Sequence, residues 1–445
     1  MDRIDFKHRF EDSLDEIIGL LKIASVYDEK TLSDKMPYGE NVHKAFVYMK
    51  QKGLENGFRI EEYDGHALSL EFGQGDERID IPCHLDVVAA EKEDFKIRIE
   101  DGKLIGRGTS DMKVPMYLCY LSMKMLKEKY PDCHKRIRLV LGGDEERTMN
   151  DLKYYVEKAG YPDFAFTPDG YFPLGIGEKG AIMWELNGTY TGVIRSLNSG
   201  TQCNIVSPIA SCVVSHPEYA DLVCRYIAEN GIDGTVREED DSLKIEVRGI
   251  ASHASRPHQG HSATVDLLKI LLDVYHDPLC KELYDAFEDS YGKGFDSFVS
   301  EDPYRSLTVN LGILKIENNK VYGQVDCRYP SGVTADELTK RLSSCLSLDV
   351  TLPYNDDPTL CDEDDIYVKT MLKTYREITK DLSEPVVSGG VSYSKVFKHC
   401  VSYGPGKIDE PSVAHQKGEF LTLENCIDMF SIYYHTIEKL LLLEV

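Results

Sequence analysis

Residue types able to bind metals or move protons stand directly behind three short apolar runs. His84 and Asp86 follow IDIPC (79–83), Asp144, Glu145 and Glu146 follow RIRLVLGG (136–143), and Asp169 follows FAFTP (164–168). Carboxylates gathered at one place repel one another and cannot all stay ionised without compensation. A divalent cation supplies it, and nitrogen with oxygen donors suits zinc or a similar borderline metal. Other chemistries are not indicated. The chain has no HExxH and no GxSxG, so neither a helical one-zinc protease site nor a serine nucleophile elbow is expected. GIGEKG (175–180) matches GxGxxG, but AIMWEL after it alternates like a strand, where a dinucleotide site needs a helix.

The elements around these residues must bring them together. IDIPC, RIRLVLGG and FAFTP read as buried strands, and helical spacing marks 9–24, 42–53 and 115–130, the last with proline in its first turn. Asn150 is expected to cap the helix DLKYYVEKA. Strands alternating with helices imply a mainly parallel sheet flanked by helices, with ligands bound beyond the carboxyl ends of the strands. The end of the chain returns to this style, with a strand at 398–405 and a long amphipathic helix at 423–443. Between them lie strand-like segments at 243–250, 306–317 and 320–330. The fold class expected is therefore two-domain α/β. Residues 1–185 and 356–445 form one domain and 186–355 an inserted α+β lid.

Five strings make a family resemblance: IPCHLDVV (81–88), GRGTSDMKVP (106–115), LGGDEE (141–146), FTPDGYFPLGIGEKG (166–180) and AHQKGEF (414–420). Weaker echoes are TQCNIVSP (201–208), GIASHASRP (249–257), VDCRYP (325–330) and SGGVSYSK (388–395). Together they resemble the di-zinc exopeptidase family that includes aminoacylases, acetylornithine deacetylase and carboxypeptidase G, and within it the dipeptidase V branch. The resemblance implies two divalent ions, zinc first and manganese or cobalt as alternatives. It makes His84 and Asp169 ligands of the first ion, Glu146 and His415 ligands of the second, and Asp111 the bridge between them. Three carboxylates against two dications leave one positive charge, which suits activation of water near neutral pH. Glu145 resembles the general base, and Asp86, on the same face of an extended segment as His84, can fix the imidazole tautomer.

The lid would complete the site. His253 resembles the histidine that stabilises the oxyanion, assisted by Asn204, and Arg328 the arginine that pairs with a substrate carboxylate. The backbone at Gly389 and Gly390 could hold that carboxylate too. Blander readings exist for each. DEE alone is an acidic turn, Asp111 alone a helix N-cap, Asp169 a turn cap beside Gly170, and Arg328 a strand-surface arginine. His258 and His261 compete with His253. Two positions depart from the family: Met112 stands where a second acidic residue is usual, and Val114 where glycine is usual. Both bear on local electrostatics and backbone shape, and neither removes a ligand or the base.

Across 445 residues the formal net charge is −25, which argues against nucleic acid and anionic membrane as partners. No secretory signal and no run of 18 apolar residues is seen, and the twelve cysteines form no CxxC. The expectation is a cytoplasmic metal-dependent dipeptidase acting on small peptides, a monomer in preference to a homodimer because a longer lid stands in for a partner's. An N-acyl-amino-acid deacylase is the close rival. A non-catalytic metal- or peptide-binding protein is the rival from another class.

Overall fold

The computed structural model describes residues 2–297, 306–407 and 410–444. The chain forms two compact units, Met1–Gly177 with Leu360–Val445, and Glu178–Thr359.

In the first unit the apolar runs become strands buried along nearly their whole length: Arg78–His84, Arg136–Gly142 and Phe164–Thr167. Arg78–His84 runs parallel to both others, and Phe164–Thr167 runs parallel to Cys400–Ser402. Successive side chains face opposite ways, so each strand needs cover on both faces. Leu139 and Leu141 join one core with the helices Arg3–Leu21, Lys113–Lys129 and Leu423–Leu441. Val140 between them joins a second, with Leu152 and Tyr155 of the helix Asn150–Ala159 and with Tyr393 and Phe397.

The sheet is mixed, with its parallel strands in the middle. The hairpin Arg59–Tyr63 and Ala67–Phe72, which the sequence reading did not include, adds two antiparallel strands beside Arg136–Gly142. Its turn uses Asp64 and Gly65, both at positive φ. Asn150 is not the helix cap. Met149 occupies that position with no capping side chain, and Asn150 is the first helical residue, its N–H directed at Thr148 Oγ1 at 3.3 Å. Nor is Asp111 a cap: Met112 precedes the helix Lys113–Lys129, and the Asp111 carboxylate is engaged elsewhere.

The second unit is a sheet in the order Gly234–Glu239, Ser242–Arg248, Ile209–Val214, Ile194–Ser199, Thr308–Glu317, Lys320–Tyr329, Gly180–Thr189, Asp349–Asp356. Every neighbouring pair is antiparallel. One face is apolar, as in Ser242–Arg248, where Leu243, Ile245 and Val247 are buried. The helices Ala220–Glu229, Ala263–Tyr275, Pro278–Phe287 and Ala335–Cys345 share that core.

Candidate metal centre

His84 ends its strand and is wholly buried. Its Nδ1 lies 2.9 Å from the main-chain oxygen of Asp86, which can only accept, so Nδ1 carries a proton and Nε2 is the nitrogen turned toward the carboxylates. That Nε2 is 2.9 Å from Asp111 Oδ1 and 3.6 Å from Asp169 Oδ2. The other Asp111 oxygen is 2.9 Å from His415 Nε2, which lies 3.1 Å from both oxygens of Glu146. Asp111 thus offers one oxygen toward each histidine. Donor atoms of His84, Asp111 and Glu146 lie within 4.8 Å of one another, and so do those of His84, Glu145 and Asp169. All six residues expected at the reacting centre of the first unit meet in one cluster.

Asp86 orients His84 through its main-chain carbonyl, since its carboxylate Oδ1 is 3.6 Å from Nδ1. That carboxylate faces the next strand's turn instead, where it accepts the N–H groups of Glu145 at 3.3 Å and Glu146 at 3.1 Å. The Asp111 segment is pinned by a residue that the sequence reading did not single out. Glu419 Oε1 accepts the N–H groups of Ser110 at 2.7 Å and Asp111 at 3.0 Å, while Oε2 pairs with Arg107 at 2.7 Å. Glu419 and Arg107 are buried, so the pair is shielded from competing water. Both stand inside strings that carried the resemblance, Arg107 in GRGTSDMKVP and Glu419 in AHQKGEF, which was the available signal. Met112 and Val114 are buried in the apolar core, the Met112 sulfur 3.4 Å from the His84 N–H. Lys113 between them is buried too. It donates to the Ile23 carbonyl at 2.7 Å, and burial pushes its pKa down to about 7.

The electrostatics show what the cluster needs. Burial, reinforced by Asp111 and the other neighbouring carboxylates, raises Glu145, Glu146 and Asp169 above the usual carboxylate range. Burial also opposes ionisation of Asp111, but hydrogen bonds from His415 and His84 hold it below that range. Hydrogen bonds to Asp111 and Glu146 push His415 up to about 10. The raised carboxylates mark a place with too little positive charge for all of them to ionise. Nitrogen and oxygen donors in this excess of negative charge fit divalent cations, which would supply the positive charge.

The lid candidates belong to the second unit. Ile205 and His253 form a bridge, and the Ala254 N–H donates to the Asn204 carbonyl at 2.9 Å, so Asn204 and His253 are neighbours. His253 Nδ1 lies 2.8 Å from Ser255 Oγ and 3.1 Å from the Ser255 nitrogen; the main-chain N–H can only donate, which favours the neutral ring with its proton on Nε2. Burial, then the charge of Arg328, lowers its pKa and favours that neutral form. Arg328 is largely buried and pairs through two nitrogens with Asp326, at 3.0 and 2.9 Å. Gly389 and Gly390 follow the strand Val386–Ser388 in the first unit, and the Gly390 N–H donates to Ser388 Oγ at 2.9 Å.

Residues 81–439 match the family described as Peptidase family M20/M25/M40. Over 465 residues the chain is 29% identical to the Beta-Ala-Xaa dipeptidase of Lactobacillus delbrueckii subsp. lactis, covering 98% of each. Its fold is similar to that of human carnosine dipeptidase 1, with a TM-score of 0.59 and 14% identity over 99% of both chains. It is also similar to the M20 family metallo-carboxypeptidase Sso-CP2 from Sulfolobus solfataricus, with a TM-score of 0.55 and 18% identity over 97% of this chain and 99% of that one. With the match spanning most of the chain, the clustered histidines and carboxylates fall into place: the chain belongs to peptidase family M20/M25/M40, a family of metal-dependent peptidases.

Proposed function

We propose that this chain is a dipeptidase that cuts small peptides with two divalent ions, zinc in the first instance and manganese or cobalt as alternatives. The observation that carries the reading is Asp111, with one oxygen toward His84 and the other toward His415. His84, Asp111 and Asp169 would hold one ion, and Asp111, Glu146 and His415 the other. When bound, such ions polarise the scissile carbonyl and lower the pKa of water.

The chain's own residues supply the remaining steps. Glu145, half-buried and within reach of His84 and Asp169, takes a proton from the attacking water and passes it to the leaving amine. His253, as the neutral ring with its proton on Nε2, donates to the developing oxyanion, with Asn204 beside it. Arg328 binds the free carboxylate of the substrate. Asp326 occupies two of the five donors of the guanidinium and fixes its plane, so an edge remains for a second carboxylate. Gly389 and Gly390 let main chain approach the same group. A carboxylate held at a fixed reach from the scissile bond sets the exopeptidase length limit.

The 29% identical relative named Beta-Ala-Xaa dipeptidase favours a dipeptide substrate over an N-acyl amino acid. The eight-stranded sheet of the inserted unit, built within one chain, favours a monomer. Twelve free thiols favour a cytoplasmic setting, and among the described residues no helix is long and apolar enough to cross a membrane.

The test strips the protein of metal and assays dipeptides and N-acetyl amino acids, with and without added zinc, manganese or cobalt. Metal-restored cleavage of dipeptides is the expected result. Cleavage of N-acyl substrates alone would make the chain a deacylase, and metal binding without turnover would make it a binding protein.

A further inference from the structure

The turn that carries Glu145 is held from behind by two residues to which the reaction so far gives no part. Asp151 is fully buried and receives only neutral donors. Its Oδ2 accepts the N–H groups of Gly143 at 2.6 Å and Asp144 at 2.8 Å, and its Oδ1 accepts that of Leu152 at 2.7 Å. The fourth donor is the Tyr393 hydroxyl, which also reaches Oδ2. With Asp86 taking the next two amides, four consecutive N–H groups from Gly143 to Glu146 end on two buried carboxylates.

Tyr393 has a second contact. Its ring meets the His84 ring edge to face, with centroids 6.2 Å apart and planes at 80°. It follows Gly389 and Gly390 closely in sequence, so the Tyr393–Asp151 bond ties the glycine segment to the Glu145 turn. Gly142, the last residue of its strand, makes the room. A Cβ there would collide with the Tyr393 hydroxyl and with Asp151 Oδ2. The glycine preceding GDEE is therefore explained by the pair behind it, an observation independent of the hydrogen bonds.

We propose that Asp151 and Tyr393 are positioning residues for Glu145. The inference rests on the reading of Glu145 as the base. A carboxylate base acts only when held close to its productive geometry, and here that geometry is set by main chain. The Tyr393 hydroxyl keeps the Asp151 carboxylate turned so that one oxygen can take both amides. Without it the carboxylate can rotate and the turn loosens at its first two residues. Glu146 remains tied at its other end to His415 and Asp86, so the loss falls on the base more than on the ligands.

The experiment compares wild type with Tyr393→Phe, which removes the hydroxyl and keeps the ring on His84. Dipeptide hydrolysis, bound metal per chain and Tm are measured on the metal-loaded protein. The expected result is a fall in kcat of about tenfold or more, with KM and metal content within about twofold of wild type. Asp151→Asn, of equal size, should fall similarly, and the double variant should be no worse than the poorer single one, because the two act as a unit. A folded, metal-loaded Tyr393→Phe with kcat within about twofold of wild type would overturn the inference. So would a loss that tracks metal content, or losses that multiply in the double variant. Wild type that turns over no dipeptide with any metal would sink the functional reading itself, a separate failure.

Discussion

The candidate site residues of the first unit are one another's partners, whereas His253 and Arg328 of the second unit are each held by a close neighbour in sequence. His84, Asp111, Glu145, Glu146, Asp169 and His415 come from five separate segments, and the stations behind them, Asp86, Asp151 and Glu419, are buried carboxylates that accept main-chain N–H groups. His253 is set by Ser255 and Arg328 by Asp326, each two residues away. Ionisable groups packed together in low dielectric depend on each other's charge, so loss of one disturbs all. Locally braced side chains can be removed one at a time.

The largest effect should come from Asp111→Asn. It keeps the size of the side chain but removes the charge that both histidines face, so both ions should bind weakly and hydrolysis should fall below detection. Metal analysis after dialysis checks it. Retention of two ions per chain with full activity would break the picture of a shared bridge. Glu145→Gln comes next, with kcat reduced about 10³-fold and metal content unchanged, as removal of a general base from an intact site demands. Equal loss of metal would move Glu145 from base to ligand, a role its closeness to His84 and Asp169 also permits.

His253→Ala sharpens the other side of the comparison. An oxyanion donor is worth about 10²-fold in kcat, and its loss should leave KM and metal content close to wild type. A companion reading is available by NMR. The Ser255 N–H on Nδ1 favours the Nε2–H tautomer in the free protein. The opposite tautomer would remove the donor and with it the assigned role.

How much of this was readable from sequence follows the same division. His84, Glu145, Glu146 and Asp169 were legible because each stands at or just past the end of a short apolar run, and parallel strands deliver such residues to one edge. Asp111 and His415 lie in irregular loops, and only the resemblance pointed to them. The hairpin Arg59–Tyr63 and Ala67–Phe72 went unread because its first strand is mostly exposed and its second buried throughout, so neither alternates cleanly. Asp86 was legible as a neighbour of His84, but its main use is the turn 59 residues further on, and no spacing rule reports that. Asp151, Tyr393 and Glu419 escaped for the same reason. Outside a helix cap or local turn, a residue that accepts main-chain amides leaves no pattern in sequence, and the only trace is the glycine or string it makes room for. Gly142 is such a trace, and its meaning came from the atoms facing it.

Arg328→Lys is the smallest change and separates local bracing from charge alone. Lysine keeps the positive charge but cannot offer a planar fork to a carboxylate, nor the flat pairing that Asp326 now receives in a largely buried place. If Arg328 grips the free carboxylate of the substrate, KM should rise about tenfold while kcat changes by about twofold, since that grip is equal in ground and transition states. The same substitution assayed on a dipeptide amide, which lacks the carboxylate, should make almost no difference, because wild type then has no partner for its fork. Parallel KM penalties on acid and amide would show that Arg328 serves only Asp326, and the carboxylate would then have to be held by main chain at Gly389 and Gly390. A fall in kcat on both substrates would mean that the guanidinium acts through His253, whose pKa it already helps to lower. In that case the second unit would be a coupled cluster like the first, and the contrast drawn between them would fail.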